Sequence, residues 1–102
     1  MTDNWILGGD DGHTPVPVDD LSDWARRFRI TDRHVAQTDV GPSHVSTVFL
    51  GIDHNFGDDG PPVLFETLVF DGPLAGEMTR YCTWADAAAG HTEMVARVTA
   101  AA

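Results

Sequence analysis

The sequence predicts a single α+β domain over residues 1–102, in which an antiparallel meander sheet of four to five strands packs in two layers against two helices. The length of 102 residues is close to the commonest domain size. Apolar residues recur at helical spacing in one segment near each end of the chain. Between these segments, stretches rich in β-branched and aromatic residues follow one another through short turns, which join antiparallel strands. Helices that cover one face of such a sheet give a two-layer fold.

The N-terminal third contains a strand, an extended segment and the first helix. Asn4–Leu7 is apolar enough for an edge strand, and the prolines of residues 14–18 favour extended backbone before them. Asp20 is a suitable N-cap, with Asp23 in the first turn near the positive end of the helix dipole. One face of this helix would carry Leu21, Trp24, Ala25 and Phe28. The arginines Arg26, Arg27 and Arg29 fall largely off that face.

The remaining two thirds predict four strands and a second helix. The strands are expected at His34–Val40, His44–Ile52, Pro62–Phe70 and Glu77–Tyr81, with a turn at Gly41-Pro42. Thr83 then caps the last helix, since Asp86 stands three residues later as in a capping box. The apolar side of that helix would carry Trp84, Ala88, His91, Val95 and Val98.

Composition excludes several classes of function. The net charge is −10, and all six basic side chains are arginine, four of them between Arg26 and Arg33. Such acidity argues against nucleic-acid binding and against an anionic membrane surface, because both depend on basic side chains. No apolar stretch reaches the roughly 20 residues of a membrane span. We therefore expect no nucleic-acid or membrane partner, whereas a basic protein would be attracted.

The cysteine content and the start of the chain indicate the compartment. Cys82 is the single cysteine, so it forms no internal disulfide, and nothing points to an oxidising environment. Met1–Trp5 lacks the basic region and apolar run of a signal peptide. We expect a cytoplasmic protein.

Glu66 and His91 form the most informative polar pair. Alternation along the third long strand places Glu66 on a face with Leu64, Leu68 and Phe70. A carboxylate among apolar side chains is costly unless it is paired. If the last helix packs on that face, His91 can meet Glu66 and form a general base or a ligand site, to which Tyr81, Thr67 and His54 are further candidates. The alternative is a satisfied polar contact in a small core.

Other motifs are weak. The loop Asp53–Gly60 is rich in side-chain oxygens, but it connects strands and lacks the fixed positions of an EF-hand. His44, His54 and Asp53 lack the helical spacing of a transition-metal site. Cys82 precedes a helix N-terminus, which favours a thiolate, but no histidine is near in sequence. We assign no catalytic residue, no metal and no cofactor from the sequence.

Three stretches of the chain carry a family resemblance. They are Val45–Phe56, Gly60–Thr67 and Arg80–His91. From about residue 35 onward, the sequence resembles an uncharacterised family of small proteins from actinobacteria and their phages. The resemblance implies an actinobacterial or phage source and assigns no role to any residue.

Two functional interpretations follow. The first is a non-enzymatic acidic accessory protein that binds a protein partner, as a host or defence modulator if the gene belongs to a phage or prophage. The second is a small-molecule binding protein or an enzyme, with a site at Glu66 and His91 between the sheet and the C-terminal helix. A third interpretation is self-association into a homo-oligomer through an exposed strand edge.

Overall fold

The computed structural model describes residues 3–55 and 59–102. Within these residues the fold is the expected α+β arrangement, with two helices and six strands in two antiparallel sheets. In chain order, the elements are β1 (Trp5–Gly8), β2 (Thr14–Pro17), α1 (Leu21–Ile30), β3 (His34–Val40), β4 (Ser43–Phe49), β5 (Phe65–Phe70), β6 (Met78–Tyr81) and α2 (Trp84–Ala101).

The larger sheet is the predicted meander, with strand order β3-β4-β5-β6 and antiparallel pairing throughout. Val40 pairs with Ser43 across the Gly41-Pro42 turn, where Gly41 adopts a φ of 55° that favours glycine. Across the central strands, Thr47 pairs with Thr67 and Val48 with Glu66. A register shift between His34 and Ala36 interrupts β3, which forms one edge of the sheet.

β2 is a strand where the sequence predicted only an extended segment, and it pairs with β1. β1 and β2 form a separate hairpin in which Trp5 faces Pro17 and Gly8 faces Thr14. This hairpin is tied to the segment that follows β4 by the bridge between Asn4 and Ile52, and by a hydrogen bond from the Trp5 amide to the Gly51 carbonyl.

Both predicted helix caps are confirmed, but the helices differ in how they pack. Asp20 accepts a hydrogen bond from the Asp23 amide at 2.9 Å, and Thr83 accepts one from the Asp86 amide at 3.1 Å. No residue of α1 is fully buried, and Leu21, which the helical pattern placed on the packed face, is 63% exposed. α1 packs mainly on β1, whereas α2 contacts all four strands of the larger sheet.

The core lies between α2 and one face of the larger sheet. Alternation along β4 buries Ser43, Val45, Thr47 and Phe49, and along β5 it buries Phe65, Thr67 and Val69. Val69 and Val45 pack with Met94 and Val98 of α2, while Phe65 and Phe49 pack with Leu7, Leu64 and Ala87. α2 therefore holds the sheet from one side and joins the N-terminal hairpin to it.

Neither helix in the described part of the chain combines the length and hydropathy that a membrane-spanning helix needs.

Candidate functional site

Helix α2 carries His91 into the core. The buried residues of the helix, Ala87, His91, Met94 and Val98, recur at intervals of four, three and four, which is the spacing of one helical face. His91 is only 5% exposed, although its neighbours on this face are apolar. A buried imidazole must find hydrogen-bond partners in the facing layer.

Threonine hydroxyls of the sheet supply those partners. Nε2 of His91 lies 2.8 Å from Oγ1 of Thr38 on β3, and Nδ1 lies 2.7 Å from Oγ1 of Thr47 on β4. Thr47 Oγ1 is 2.5 Å from Thr67 Oγ1 on β5, and the Tyr81 hydroxyl on β6 donates to Thr67 Oγ1 at 3.2 Å. One side chain from each strand thus joins His91 in a hydrogen-bond chain that crosses the whole sheet.

The hydrogen-bonding groups of this chain complement one another. Because Tyr81 donates to Thr67, the single hydroxyl hydrogen of Thr67 is available to Thr47. A neutral imidazole has one donor and one acceptor nitrogen, so one ring nitrogen of His91 donates to a threonine hydroxyl and the other accepts from one. Every group in the chain is satisfied by a neutral His91.

Burial favours that neutral form. Desolvation lowers the pKa of His91 below its ordinary value of 6.5, and the charge of His44 lowers it further. His44 lies on the other face of the sheet, since it is one position from the buried Ser43 and Val45 in β4. His91 is therefore a neutral hydrogen-bonding group near pH 7.

The structure does not bring Glu66 to His91. α2 packs on the face of β5 that carries Thr67, and successive residues of a strand point to opposite faces, so Glu66 lies on the far side of the sheet. There its Oε2 pairs with Nε of Arg80 at 3.1 Å. Glu66 and His91 therefore do not share a site. The hydrogen-bond partners that reach His91 from β4 and β5 are Thr47 and, through it, Thr67.

Tyr81 joins the buried chain to the surface. Its hydroxyl reaches α2 at Gly90, where a Cβ atom would lie 2.2 Å from the Tyr81 oxygen. Glycine in a helix interior costs stability relative to alanine, and here it makes room for the tyrosine. Tyr81 and Gly90 also line a groove of about 100 Å³ between β6 and α2. We call this the Tyr81 groove; its other lining residues are Thr79, Glu93, Met94 and Arg97.

His54 lies apart from this chain. Its Nδ1 is 2.7 Å from the carbonyl oxygen of Ile52, and its amide donates to the carbonyl of Val63. Asp53 is used locally, because its Oδ1 accepts from the amides of Asn55 and Val63 at 2.8 Å each. Residues 56–58 of the expected loop lie outside the described residues. Across residues 3–55 and 59–102, no group of three His, Cys, Asp or Glu side chains is placed to hold a metal ion.

Cys82 is half-buried beside the N-terminus of α2. Its Sγ donates a long hydrogen bond, 4.0 Å, to the carbonyl oxygen of Pro61.

The larger sheet has a second face that α2 does not cover. The register places His44 and Arg80 there, together with six side chains that we call the open face: Ser46, Val48, Glu66, Leu68, Phe70 and Met78. Phe70 is 46% exposed and Met78 is 47% exposed. Leu68 pairs with Met78 across β5 and β6, so apolar side chains are neighbours on this surface.

A polar network borders the open face along β3 and β4. Asp39 Oδ1 is 2.6 Å from Nδ1 of His44, whose Nε2 is 2.7 Å from Oε1 of Gln37. Gln37 then donates to Ser46 Oγ at 2.8 Å. The ring of His44 is tilted against that of Phe70, with centroids 6.2 Å apart. The apolar centre of the surface is thus framed by fixed polar groups.

Sequence reasoning named His91, Tyr81 and Thr67 but missed Thr38 and Thr47. A signal for Thr47 was present, because Val45, Thr47 and Phe49 alternate on one face, just as Phe65, Thr67 and Val69 do. Two threonines inside apolar alternations indicate buried hydroxyls that need a partner. Which partner they find depends on the helix that packs above them.

Comparison of the chain with models of protein families, with curated proteins and with solved structures gave no match.

Proposed function

We propose that this chain is a small acidic accessory protein that binds a basic protein partner through its open face. The observation that carries the proposal is the pair Phe70 and Met78, each nearly half exposed on a sheet surface opposite the helix that closes the core. Large apolar side chains grouped on one surface mark interaction sites.

The composition of the open face supports a protein partner. Protein interfaces combine an apolar centre with a polar rim. Val48, Leu68 and the exposed pair supply the centre. The ion pair of Glu66 with Arg80 and the network around His44 supply polar groups held in fixed positions. Because these polar groups are already ordered, a partner would meet them with a small cost in side-chain entropy.

Charge selects the kind of partner. The chain carries −10 on 102 residues, so a second copy is repelled and a basic surface is attracted. Electrostatic complementarity of this kind accelerates association and disfavours wrong partners. The resemblance of the sequence to actinobacterial and phage proteins extends the proposal to a host or defence protein that this chain modulates.

The test is affinity capture from an actinobacterial lysate, followed by binding measurements with the captured protein. Phe70→Ser with Met78→Ser removes the two most exposed apolar side chains of the open face, and neither belongs to the buried core. The matched control is Leu21→Ser with Ile30→Ser, because these residues are 63% and 75% exposed and belong to α1 rather than to the larger sheet. We expect a basic partner whose affinity falls with added salt, falls strongly in the first variant and is retained in the second.

Equal binding by both double variants would refute the role of the open face. A stable dimer of this chain by analytical ultracentrifugation at low salt, dissociated by the Phe70 and Met78 changes, would show that a second copy covers the surface.

A further inference from the structure

The Tyr81 groove lies on the other side of the sheet from the open face, between β6 and α2. Its volume of about 100 Å³ is below the range for drug-sized ligands, so the groove can hold only a very small ligand or one side chain. The groove is lined by both apolar and polar side chains, Met94 and Tyr81 among them. Its chemistry is set by which of these polar groups remain available to a ligand.

The tyrosine oxygen is available as an acceptor. Tyr81 uses its only hydroxyl hydrogen to donate to Thr67, so the lone pairs of the oxygen remain for another donor. Thr67 Oγ1 is also within hydrogen-bond distance of Thr47, whose hydroxyl meets Nδ1 of His91. Gly90 lets the hydroxyl lie against α2 at the groove.

Glu93 and Arg97 are the charged side chains that line the groove, and they differ in whether they already have an ion-pair partner. Arg97 is already paired, since Nη2 lies 3.0 Å from Glu77 Oε1 and Nη1 lies 3.6 Å from the Met94 sulfur. Glu93, which also lines the groove and is exposed, forms no ion pair or side-chain hydrogen bond within residues 3–55 and 59–102. A ligand would therefore meet a free carboxylate and a phenol oxygen, both of them acceptors.

We propose that the Tyr81 groove binds an ammonium group on a short alkyl chain, from either a free alkylamine or a lysine side chain. The ammonium donates to the Glu93 carboxylate and to Tyr81 Oη, while the methylenes lie along Met94 and the tyrosine ring. Phosphates and carboxylates are disfavoured by Glu93 and by the net charge of −10.

This site is independent of the open face, because it uses β6 and α2 on the opposite side of the sheet. Failure of one proposal leaves the other intact. Substitutions of Phe70 and Met78 are expected to leave ammonium binding unchanged.

The experiment is an NMR titration of the ¹⁵N-labelled protein with n-butylammonium chloride. Backbone signals around Gly90 and Glu93 should shift with millimolar affinity, since so small a ligand has few atoms with which to bind. n-Butanol and sodium acetate are the matched neutral and anionic probes, and both should leave these signals in place. Nα-acetyl-lysine-N-methylamide separates the sources: tighter binding than n-butylammonium indicates a lysine side chain, and equal binding indicates recognition of the amine alone.

Two variants remove one carboxylate each from α2. Glu93→Gln should weaken n-butylammonium binding by about tenfold, because it removes a charge-assisted hydrogen bond. Asp86→Asn removes the same charge two turns away and should leave the affinity unchanged. Tyr81→Phe should weaken binding by a smaller factor, since it removes one neutral acceptor.

Three results would overturn the proposal. One is no shift around the groove with n-butylammonium. Another is an equal response to n-butanol, which would show an apolar groove without charge recognition. The third is the same loss in Glu93→Gln and Asp86→Asn, which would show attraction by the overall charge alone.

Discussion

Nδ1 of His91 lies 2.7 Å from Oγ1 of Thr47, across the interface between α2 and the central strand β4. Forty-four positions separate the two residues along the chain. The contact is buried on both sides, with Thr47 at 0% exposed and His91 at 5%. It fixes the helix over the sheet in one position, because hydrogen bonds specify geometry more narrowly than apolar contacts do.

The hydroxyl of Thr47 should contribute measurably to stability. Thr47→Val keeps the shape of the side chain but leaves Nδ1 of His91 without its partner and Thr67 with Tyr81 alone. We expect a loss of about 1–3 kcal/mol in the free energy of unfolding, measured by urea denaturation. Thr99→Val, an exposed threonine of α2, is the control and should change stability by less than about 0.5 kcal/mol. Equal effects of the two changes would show that the buried chain adds nothing.

Protonation of His91 should destabilise the fold. The pKa of His91 is lowered from 6.5 by burial, so the unfolded chain binds the proton more readily than the folded chain. The contribution of neutral His91 is fully present above pH 6.5 and is lost as the pH falls through 6.5 toward the lower folded-state pKa.

The measurement is the free energy of unfolding across this pH range for the wild type and for His91→Gln. Carboxylate effects are common to both proteins, so the difference between the two curves reports His91. Stability of the wild type should fall more steeply with acidification. Parallel curves would contradict a lowered pKa.

Gly90 should be required only because of Tyr81. Gly90→Ala places a Cβ 2.2 Å from the Tyr81 oxygen, so we expect destabilisation by about 1–3 kcal/mol despite the better helix propensity of alanine. In a Tyr81→Val background the clash is gone, and Gly90→Ala should stabilise by up to about 1 kcal/mol. Thermal or urea unfolding of the four proteins forms a double-mutant cycle. The same sign of effect in both backgrounds would be inconsistent with this packing.

Substitution of Glu66 should not affect the titration of His91. It lies on the opposite face of the sheet, paired with Arg80 at 3.1 Å, where a partly exposed ion pair contributes little. Glu66→Gln should change the free energy of unfolding by less than about 1 kcal/mol and leave the His91 titration, followed by NMR of the imidazole signals, unchanged. A clear shift in the His91 titration would show that Glu66 and His91 interact, contrary to their positions on opposite faces of the sheet.

The fold class could be predicted because its causes are local. Strand periodicity, the Gly41-Pro42 turn and the caps at Asp20 and Thr83 act within a few residues, and each is present in the structure. The pairing of β1 with β2 was missed because the prolines of β2 suggested an isolated extended segment. In a two-stranded hairpin both strands are edge strands, and edge strands tolerate proline.

The sequence by itself determined that Glu66 and Thr67 point to opposite faces of one strand, and that His91 lies on the inner side of the last helix. Only the tertiary structure decided which face α2 covers, and this choice made Thr67, rather than Glu66, the neighbour of His91. The physical reason is the difference in burial cost. Threonine hydroxyls are satisfied by a neutral imidazole inside the core, whereas a carboxylate is more stable where Arg80 and solvent can reach it.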